Sequence, residues 1–277
     1  MEIKVYEKVL VCPVCAEKLE VLPERAVCIK GHSFDRSRKG YYNLLSGRGG
    51  GVHGDNRDMV MARRAFLSYG YYEPLSSLVS SLALEYTAKG GTLIDLGCGE
   101  GYYTSKIEQA LYERDGESAV WAYDISKDAV SEVYKKNKRI HLAVFGSYHM
   151  PVADSSVDTA VNMFSPLAIE ETLRVLKHGG VFIMAIPAED HLFELKCALY
   201  DTPYKNTPSD TDIDGLELLR DIPLKYEMTL DTKEKIMSLF MMTPYAYRTK
   251  PESRARLLSM DFLRCTAHFR IFVYKKY

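Results

Sequence analysis

Apolar positions along this chain change their period from place to place. In residues 73–86, Leu75, Leu78, Val79 and Leu82 fall on one helical face, with Pro74 near the start, and another helix is predicted near Asn56–Ser68. From residue 92 onward, short apolar runs alternate with helical patterns. The runs predict strands at 92–96, 119–124, 140–145, 157–163 and 180–186. The patterns between them predict helices at 102–112, 126–136, 167–177 and 190–200. Ser126 and Asp190 are expected N-caps. Such alternation builds a parallel sheet with helices on both faces. Two last β-like runs, Asp261–Cys265 and His268–Tyr274, are expected to meet at a tight turn, and residues 201–260, which break the alternation, read as an insertion. Ahead of all this, residues 1–46 form a short unit with its own cysteine cluster. A glycine-rich linker at 47–55 follows, with five glycines in Gly47–Gly54, and residues 56–277 form the main domain.

A length of 277 residues suits one catalytic domain with a small appendage, and 47% apolar residues suit a full core. A net charge of −1 names no partner. The balance is local, however: from Tyr245 onward Arg248, Lys250, Arg254, Arg256, Arg264, Arg270, Lys275 and Lys276 face only Glu252 and Asp261, while Asp201–Glu234 leans acidic. This reads either as a single-sign patch or as a solvated face. No apolar run suits a bilayer and the N-terminus lacks a signal-peptide core, so a cytoplasmic protein with six reduced cysteines is expected.

The candidate chemistry starts at Leu93–Ile107, LIDLGCGEGYYTSKI, where a buried strand passes into a helix through Asp95, Gly97, Gly99 and Gly101. Without Cβ atoms, such a turn lets a nucleotide-like ligand press against the main chain. A dinucleotide site wants G-x-G-x-x-G/A with a small sixth residue. Counting from Gly97 the sixth residue is Tyr102, and the third glycine comes one place early. The pattern D-x-G-x-G-x-G instead resembles motif I of S-adenosylmethionine-dependent methyltransferases. The resemblance implies a class I, Rossmann-like α/β fold: a mostly parallel seven-stranded sheet ending in an antiparallel hairpin, with the glycine turn against the methionine and adenosine moieties. The next strand, AVWAYD, ends in Asp124. A carboxylate there accepts two ribose hydroxyls and would repel a 2′-phosphate; alternatively, Asp124 only caps the helix beginning at Ser126. Asp95 either binds the cofactor amino group or fixes the turn. Tyr103 and Thr104 are placed to touch the methionine end, whereas Tyr102 as readily packs.

Cys12-Pro-Val-Cys15, Cys28 and His32 give C-x2-C-x12-C-x3-H. Four such ligands in two close pairs suit a tetrahedral, closed and therefore structural zinc site, whose metal would supply much of the folding energy of so small a unit. Cys28→Ser is expected to release the metal and unfold the unit while leaving cofactor binding mostly intact. The competing reading is ordinary buried residues. Cys98, Cys197 and Cys265 are scattered and lack an adjacent base. Lys30, Arg36, Arg38, Lys39 and Arg48 interleave with Phe34, Tyr41 and Tyr42. That mixture suits a looped RNA, or equally a solvated rim around aromatics packed on the other domain. Lys135–Arg139 reads as a helix end rather than a binding site.

Three features together, the CPVC…C…GH unit, GYYNLL at Gly40–Leu45 and DLGCGEGYYT at Asp95–Thr104, are similar to those of bacterial 23S rRNA (guanine-N1)-methyltransferases. ARRAFL at Ala62–Leu67, HLFELK at His191–Lys196 and MTPYAYR at Met242–Arg248 extend the resemblance over almost the whole chain. It implies methylation of guanine N1 in a hairpin of domain II of 23S rRNA, by a homodimer whose zinc modules help form the RNA cleft. It also implies zinc on Cys12, Cys15, Cys28 and His32, and cofactor contacts from Tyr72, from Tyr103 with Thr104, and from His191. One of the family's two branches is tied to tylosin-type macrolide resistance, and the sequence does not choose between them. His149 stands one place later than a histidine of some members, which puts a catalytic role for it in doubt.

Guanine N1 carries a proton at neutral pH, so the reaction needs an unpaired or flipped guanine, in-line approach to the sulfonium methyl, and a base. After the fourth strand stands Asn162-Met163-Phe164-Ser165-Pro166, not the N-P-P-Y of amino-group methyltransferases, and Phe164-Ser165-Pro166 are candidates to line the base pocket. Glu194, Asp190 and Glu100 are candidate bases, each with a competing structural role, and the base stays unassigned. Two other readings are a small-molecule methyltransferase with a zinc lid and a non-enzymatic rRNA-binding protein.

Overall fold

The computed structural model describes residues 9–45, 54–207 and 211–277. Of the expected linker, only Gly54 and Asp55 fall among them. Three short strands, β1 (Leu19–Val21), β2 (Arg25–Cys28) and β3 (Ser33–Asp35), form an antiparallel sheet of their own. They are followed by β4 (Tyr41–Asn43) and two helices, α1 (Arg57–Ser68) and α2 (Glu73–Tyr86). The alternating region then runs β5 (Thr92–Leu96), α3 (Tyr102–Asp115), β6 (Ala119–Asp124), α4 (Lys127–Lys136), β7 (His141–Val144), β8 (Val157–Met163), α5 (Ile169–Val175), β9 (Leu176–Pro187) and α6 (Phe193–Leu199). The chain closes with β10 (Leu216–Leu230), α7 (Lys233–Met241), a 3₁₀ turn at Pro244–Tyr247, α8 (Pro251–Leu258) and β11 (Leu263–Lys276).

The main sheet has the order β10-β11-β9-β8-β5-β6-β7-β4. Strands β4 to β9 pair in parallel, and β11 is antiparallel to both of its neighbours. The order reverses at β5, whose next strand in sequence lies on one side and β8 on the other. The carboxyl ends of the strands diverge there, and that crevice is where open α/β sheets bind ligands. All five residues of β5 are buried, as a central strand covered on both faces requires. Successive residues feed opposite cores. Leu93, Val120 and Ala122 join the one beneath α1, α2 and α3, whereas Ile94, Leu96, Trp121 and Tyr123 join the other, shared with Leu10, Leu19, Ala26 and Tyr42 of the N-terminal unit. Helix starts follow local chemistry: Asn56 Oδ1 accepts from the Met59 N–H and Ser126 Oγ from the Ala129 N–H. Among the described residues no helix is long and apolar enough to cross a membrane.

Four features differ from the sequence expectations. The two runs at 261–274 are one strand, because Thr266-Ala267 holds no turn residue and the inward series Leu263, Cys265, Ala267, Phe269, Ile271 and Val273 continues through it. Its antiparallel partner is β10, so residues 201–260 are not an insertion into the fold but carry one of its strands. Pro223 lies within β10, and the outermost place in the sheet tolerates it, since a proline has no N–H to give a further strand. Helix α6 starts after Leu192, at φ 55°, and not at Asp190, because the backbone of Ala188 and Leu192 is hydrogen-bonded to His268 and Thr266 of β11. Finally, the sheet has an eighth strand, β4, supplied by the N-terminal unit.

Candidate cofactor and zinc sites

The glycine turn sits at the switch point. Gly97, Gly99 and Gly101 have φ of 83°, 55° and 78°, left-handed values that side chains with a Cβ adopt only under strain. Asp124, at the end of β6, grips the turn: its carboxylate accepts from the Gly99 N–H at 3.0 Å and from the Ser126 N–H at 2.8 Å. Asp124 thus ties the glycine turn to the loop before α4, whose N-cap is Ser126 itself. Burial raises its pKa. Asp95 is 1% exposed and accepts from the Thr104 hydroxyl through Oδ2, while Oδ1 has no partner. Burial, reinforced by the charges of Asp124 and Glu100, lifts its pKa to about 7. The Tyr103 hydroxyl is likewise buried and unpartnered. Two orphaned buried polar groups beside a bare turn fit a polar ligand such as the amino-acid end of adenosylmethionine.

An aromatic cluster reaches the turn through Tyr103, whose ring lies 6.3 Å from that of Phe164. Phe269 of β11 touches Tyr72 (ring centroids 5.0 Å apart), His191 (4.6 Å) and Phe164 (5.5 Å). The Tyr72 hydroxyl and His191 Nε2 are 3.4 Å apart, and His191 Nδ1 lies 3.3 Å from the His268 N–H. With Nδ1 accepting, the neutral ring carries its proton on Nε2. Burial, with Lys196 and His268 nearby, drives the His191 pKa down to about 3, so the ring is neutral in the cell's pH range. Tyr72 and His191 thus meet at Phe269, the Tyr103 ring lies near that of Phe164, and the Thr104 hydroxyl donates to Asp95. Phe164 stands apart from its neighbours. It has φ 62° and is 41% exposed, whereas Phe269 is fully buried. The turn that carries it is held by Ser165, whose N–H donates to Asn162 Oδ1 and whose hydroxyl donates to the Leu96 carbonyl.

Two of the three candidate carboxylates are tied to partners, and the third is buried. Glu194 accepts from the Thr266 N–H at 2.8 Å and hydroxyl at 2.7 Å. Asp190 pairs with Lys205 at 2.6 Å and Lys225 at 2.7 Å, which hold its pKa near 2. Glu100 is 2% exposed and turned toward Lys136, 3.5 Å away. His149 is exposed on the surface.

In the N-terminal unit, Cys12, Cys15, Cys28 and His32 converge, with all four ligand atoms within 4.8 Å of one another. His32 Nδ1 lies 3.5, 3.4 and 3.4 Å from the three sulfurs, and the sulfurs of Cys15 and Cys28 are 3.8 Å apart. A tetrahedron with bonds of about 2.3 Å to sulfur and 2.0 Å to nitrogen has edges of about 3.5–3.8 Å. The donor set fits zinc and leaves no open position. Ala16 (φ 59°) and Gly31 (φ 84°) make the tight knuckles that turn each pair inward.

The aromatics around this site do not wait for bases. Tyr41 and Tyr42 are buried, Tyr42 donates to the Leu22 carbonyl at 2.7 Å, and the Arg36 guanidinium lies 5.9 Å from the Tyr42 and Tyr134 rings. Lys30 pairs with Glu17 at 3.0 Å. Arg38 and Lys39 are exposed, and Arg48 lies outside the described residues. Of the C-terminal cations, Arg256, Arg264 and Arg270 face Asp201, Glu227 and Asp221, while Arg248, Lys250 and Arg254 are exposed. In the Lys135–Arg139 run, Lys135 pairs with Glu132, Lys136 with Glu100 and Arg139 with Glu108, as a structural helix end would.

Sheet order, glycine turn and carboxylate-capped second strand define a class I methyltransferase joined to a zinc ribbon. Residues 87–240 match the family described as "Methyltransferase domain", and residues 10–47 match the one described as "RlmA, N-terminal", a zinc ribbon. The chain belongs to the 23S rRNA (guanine-N1)-methyltransferase family. It is 30% identical to the "Putative 23S rRNA (guanine-N(1)-)-methyltransferase" of Micromonospora griseorubida across 87% of both chains. To the protein of that description called YxjB, from Bacillus subtilis (strain 168), it is 30% identical across 89% of both. To the 23S rRNA (guanine(748)-N(1))-methyltransferase of Streptomyces fradiae it is 33% identical, across 68% of this chain and 66% of that one.

Proposed function

We propose that this protein transfers a methyl group from S-adenosylmethionine to N1 of a guanine in a domain II hairpin of 23S rRNA, working as a homodimer. The observation that carries the reading is the combination, in one chain of this family, of a closed Cys3His knuckle site with the Asp124-gripped glycine turn at the sheet's switch point. In this reading Gly97, Gly99 and Gly101 admit the cofactor to the backbone. Asp124 accepts its ribose hydroxyls and Asp95 its amino group, and Tyr72, Tyr103, Thr104 and His191 line its methionine end. The bound cofactor supplies the electrophilic methyl. Phe164, exposed and held in a costly backbone conformation at the end of β8, is the platform on which the flipped guanine stacks.

Mass-spectrometric mapping of 23S rRNA from cells with and without the protein tests the reading. The expected result is one N1-methylguanosine present only with the protein. Methyl transfer to small molecules but never to rRNA would sink it. The position found also decides between the two branches, and hence whether macrolide resistance follows.

Two measurements probe the site. Asp124→Ala is expected to weaken cofactor binding by about 1–3 kcal/mol through lost hydrogen bonds; equal affinity in calorimetry would make Asp124 a loop cap alone. Asp95 gives a pH signature. Its pKa of about 7 is far above the ordinary aspartate value. The unliganded fold therefore holds a proton that the unfolded chain releases near pH 4, and the stability so gained is complete at low pH and fades as pH rises toward 7. A cofactor ammonium favours the ionised form. Affinity should climb as pH rises through about 7, and binding at pH 6 should release a proton. Calorimetry in two buffers of different ionisation enthalpy reads this directly, and a null proton count removes Asp95 from the ammonium site.

A further inference from the structure

The three glycines of the turn are bare for different reasons. A Cβ on Gly97 would fall 2.5 Å from Ser165 Cβ, and one on Gly101 would fall 2.8 Å from Val133 Cγ1, so both serve internal packing. A Cβ on Gly99 would meet only Nη1 of Arg63, at 3.6 Å. The guanidinium of an α1 residue thus overhangs the turn at Gly99. Asp55 holds it in an ion pair, with both side chains about a quarter exposed. Asp55 is itself fixed where the chain enters α1, its carbonyl accepting from the Ser126 hydroxyl at 2.7 Å. Asp124, Ser126, Asp55 and Arg63 therefore encircle Gly99. A guanidinium carries five N–H donors in a planar fork, so Arg63 can keep Asp55 on one edge and offer the other to a second carboxylate.

We propose that Arg63 binds the α-carboxylate of the cofactor's methionine moiety, opposite Asp95, whose unpartnered Oδ1 receives the ammonium. This rests on the turn being the adenosylmethionine site. A zwitterion is then read by two fixed charges of opposite sign, one from each side of the turn, and the carboxylate is the single anion adenosylmethionine offers.

The test is calorimetric binding of three ligands to the full-length, zinc-loaded protein: S-adenosylmethionine, its decarboxylated analogue, and 5′-methylthioadenosine. The wild type should prefer adenosylmethionine over the decarboxylated analogue by about 10- to 100-fold, the range of a charged hydrogen-bonded pair. Arg63→Met should abolish that preference and leave methylthioadenosine affinity unchanged, which also shows that the variant is folded. Arg63→Lys should keep part of the preference. An unchanged ratio in Arg63→Met, or an equal loss for methylthioadenosine, overturns the assignment while the cofactor reading stands. If the wild type binds none of the three, the cofactor reading falls and takes the assignment with it.

Discussion

Cys28→Ser is expected to strip zinc from the protein and to loosen one edge of the catalytic sheet at the same time. Cys28 ends β2 and faces His32 and Cys15 in the metal site. A serine hydroxyl is a poor zinc ligand, and structural zinc supplies on the order of 10 kcal/mol to units of this size, comparable with the whole stability of an ordinary domain. The strands around the metal are three or four residues long and cannot stand alone. Damage should not stop there. Tyr42 of β4 is tied to Leu22, in the turn that joins β1 to β2, and β4 pairs with β7 through Tyr41–Leu142, Tyr42–Ala143 and Asn43–Val144. Leu10 also bridges to Val152. Elemental analysis should show zinc falling toward zero, and amide exchange should accelerate in residues 9–45 and in β7. Unchanged zinc content would refute the ligand set. Unchanged exchange in β7 would show that β4 holds its place without the metal. Sequence alone led to a milder expectation, a detachable unit, because nothing in GYYNLL announces a strand of the neighbouring sheet.

Gly97→Ala should destabilise the fold by about 2–5 kcal/mol, from two separable sources. The left-handed backbone at φ 83° contributes about 1–2 kcal/mol of strain. The new methyl, 2.5 Å from Ser165 Cβ and 2.7 Å from its hydroxyl, adds about 1–3 kcal/mol of overpacking. Ser165 cannot simply retreat, since its hydroxyl donates to the Leu96 carbonyl. Combining Gly97→Ala with Ser165→Gly should therefore recover the packing part in urea unfolding and leave the backbone part. A double variant no more stable than Gly97→Ala would show that Ser165 does not set the size of residue 97.

The central alternation and the zinc ligands were legible because each depends on spacing over a few residues: two cysteines in a knuckle, three glycines in a turn, an acidic residue ending the next strand. What escaped depends on distant parts of the chain. β10 reads poorly as a strand because its outward face is polar and it contains Pro223, features that only its place at the rim permits. The start of α6 is set by hydrogen bonds to β11, some eighty residues on, which override the capping signal at Asp190. Tyr41 and Tyr42 suggested a stacking surface by their neighbours in sequence, yet the sheet buries them. Phe164 is legible from its place after the fourth strand, whereas nothing in ARRAFL singles out Arg63. A second arginine in ARRAFL, Arg64, pairs with Glu132 instead, and only the path of α1 over the turn separates the two.

The pairing of β4 with β7 also bears on how the protein behaves when zinc is scarce. A parallel sheet ending at β7 would present a row of unsatisfied N–H and C=O groups, ready to accept a strand from any other chain. β4 covers that row, and Cys12, Cys15, Cys28 and His32 keep it folded in place through their metal. Chelation should then turn a well-behaved protein into a sticky one, with light scattering rising before activity is lost to global unfolding. The zinc site is thus expected to guard the solubility of the catalytic domain.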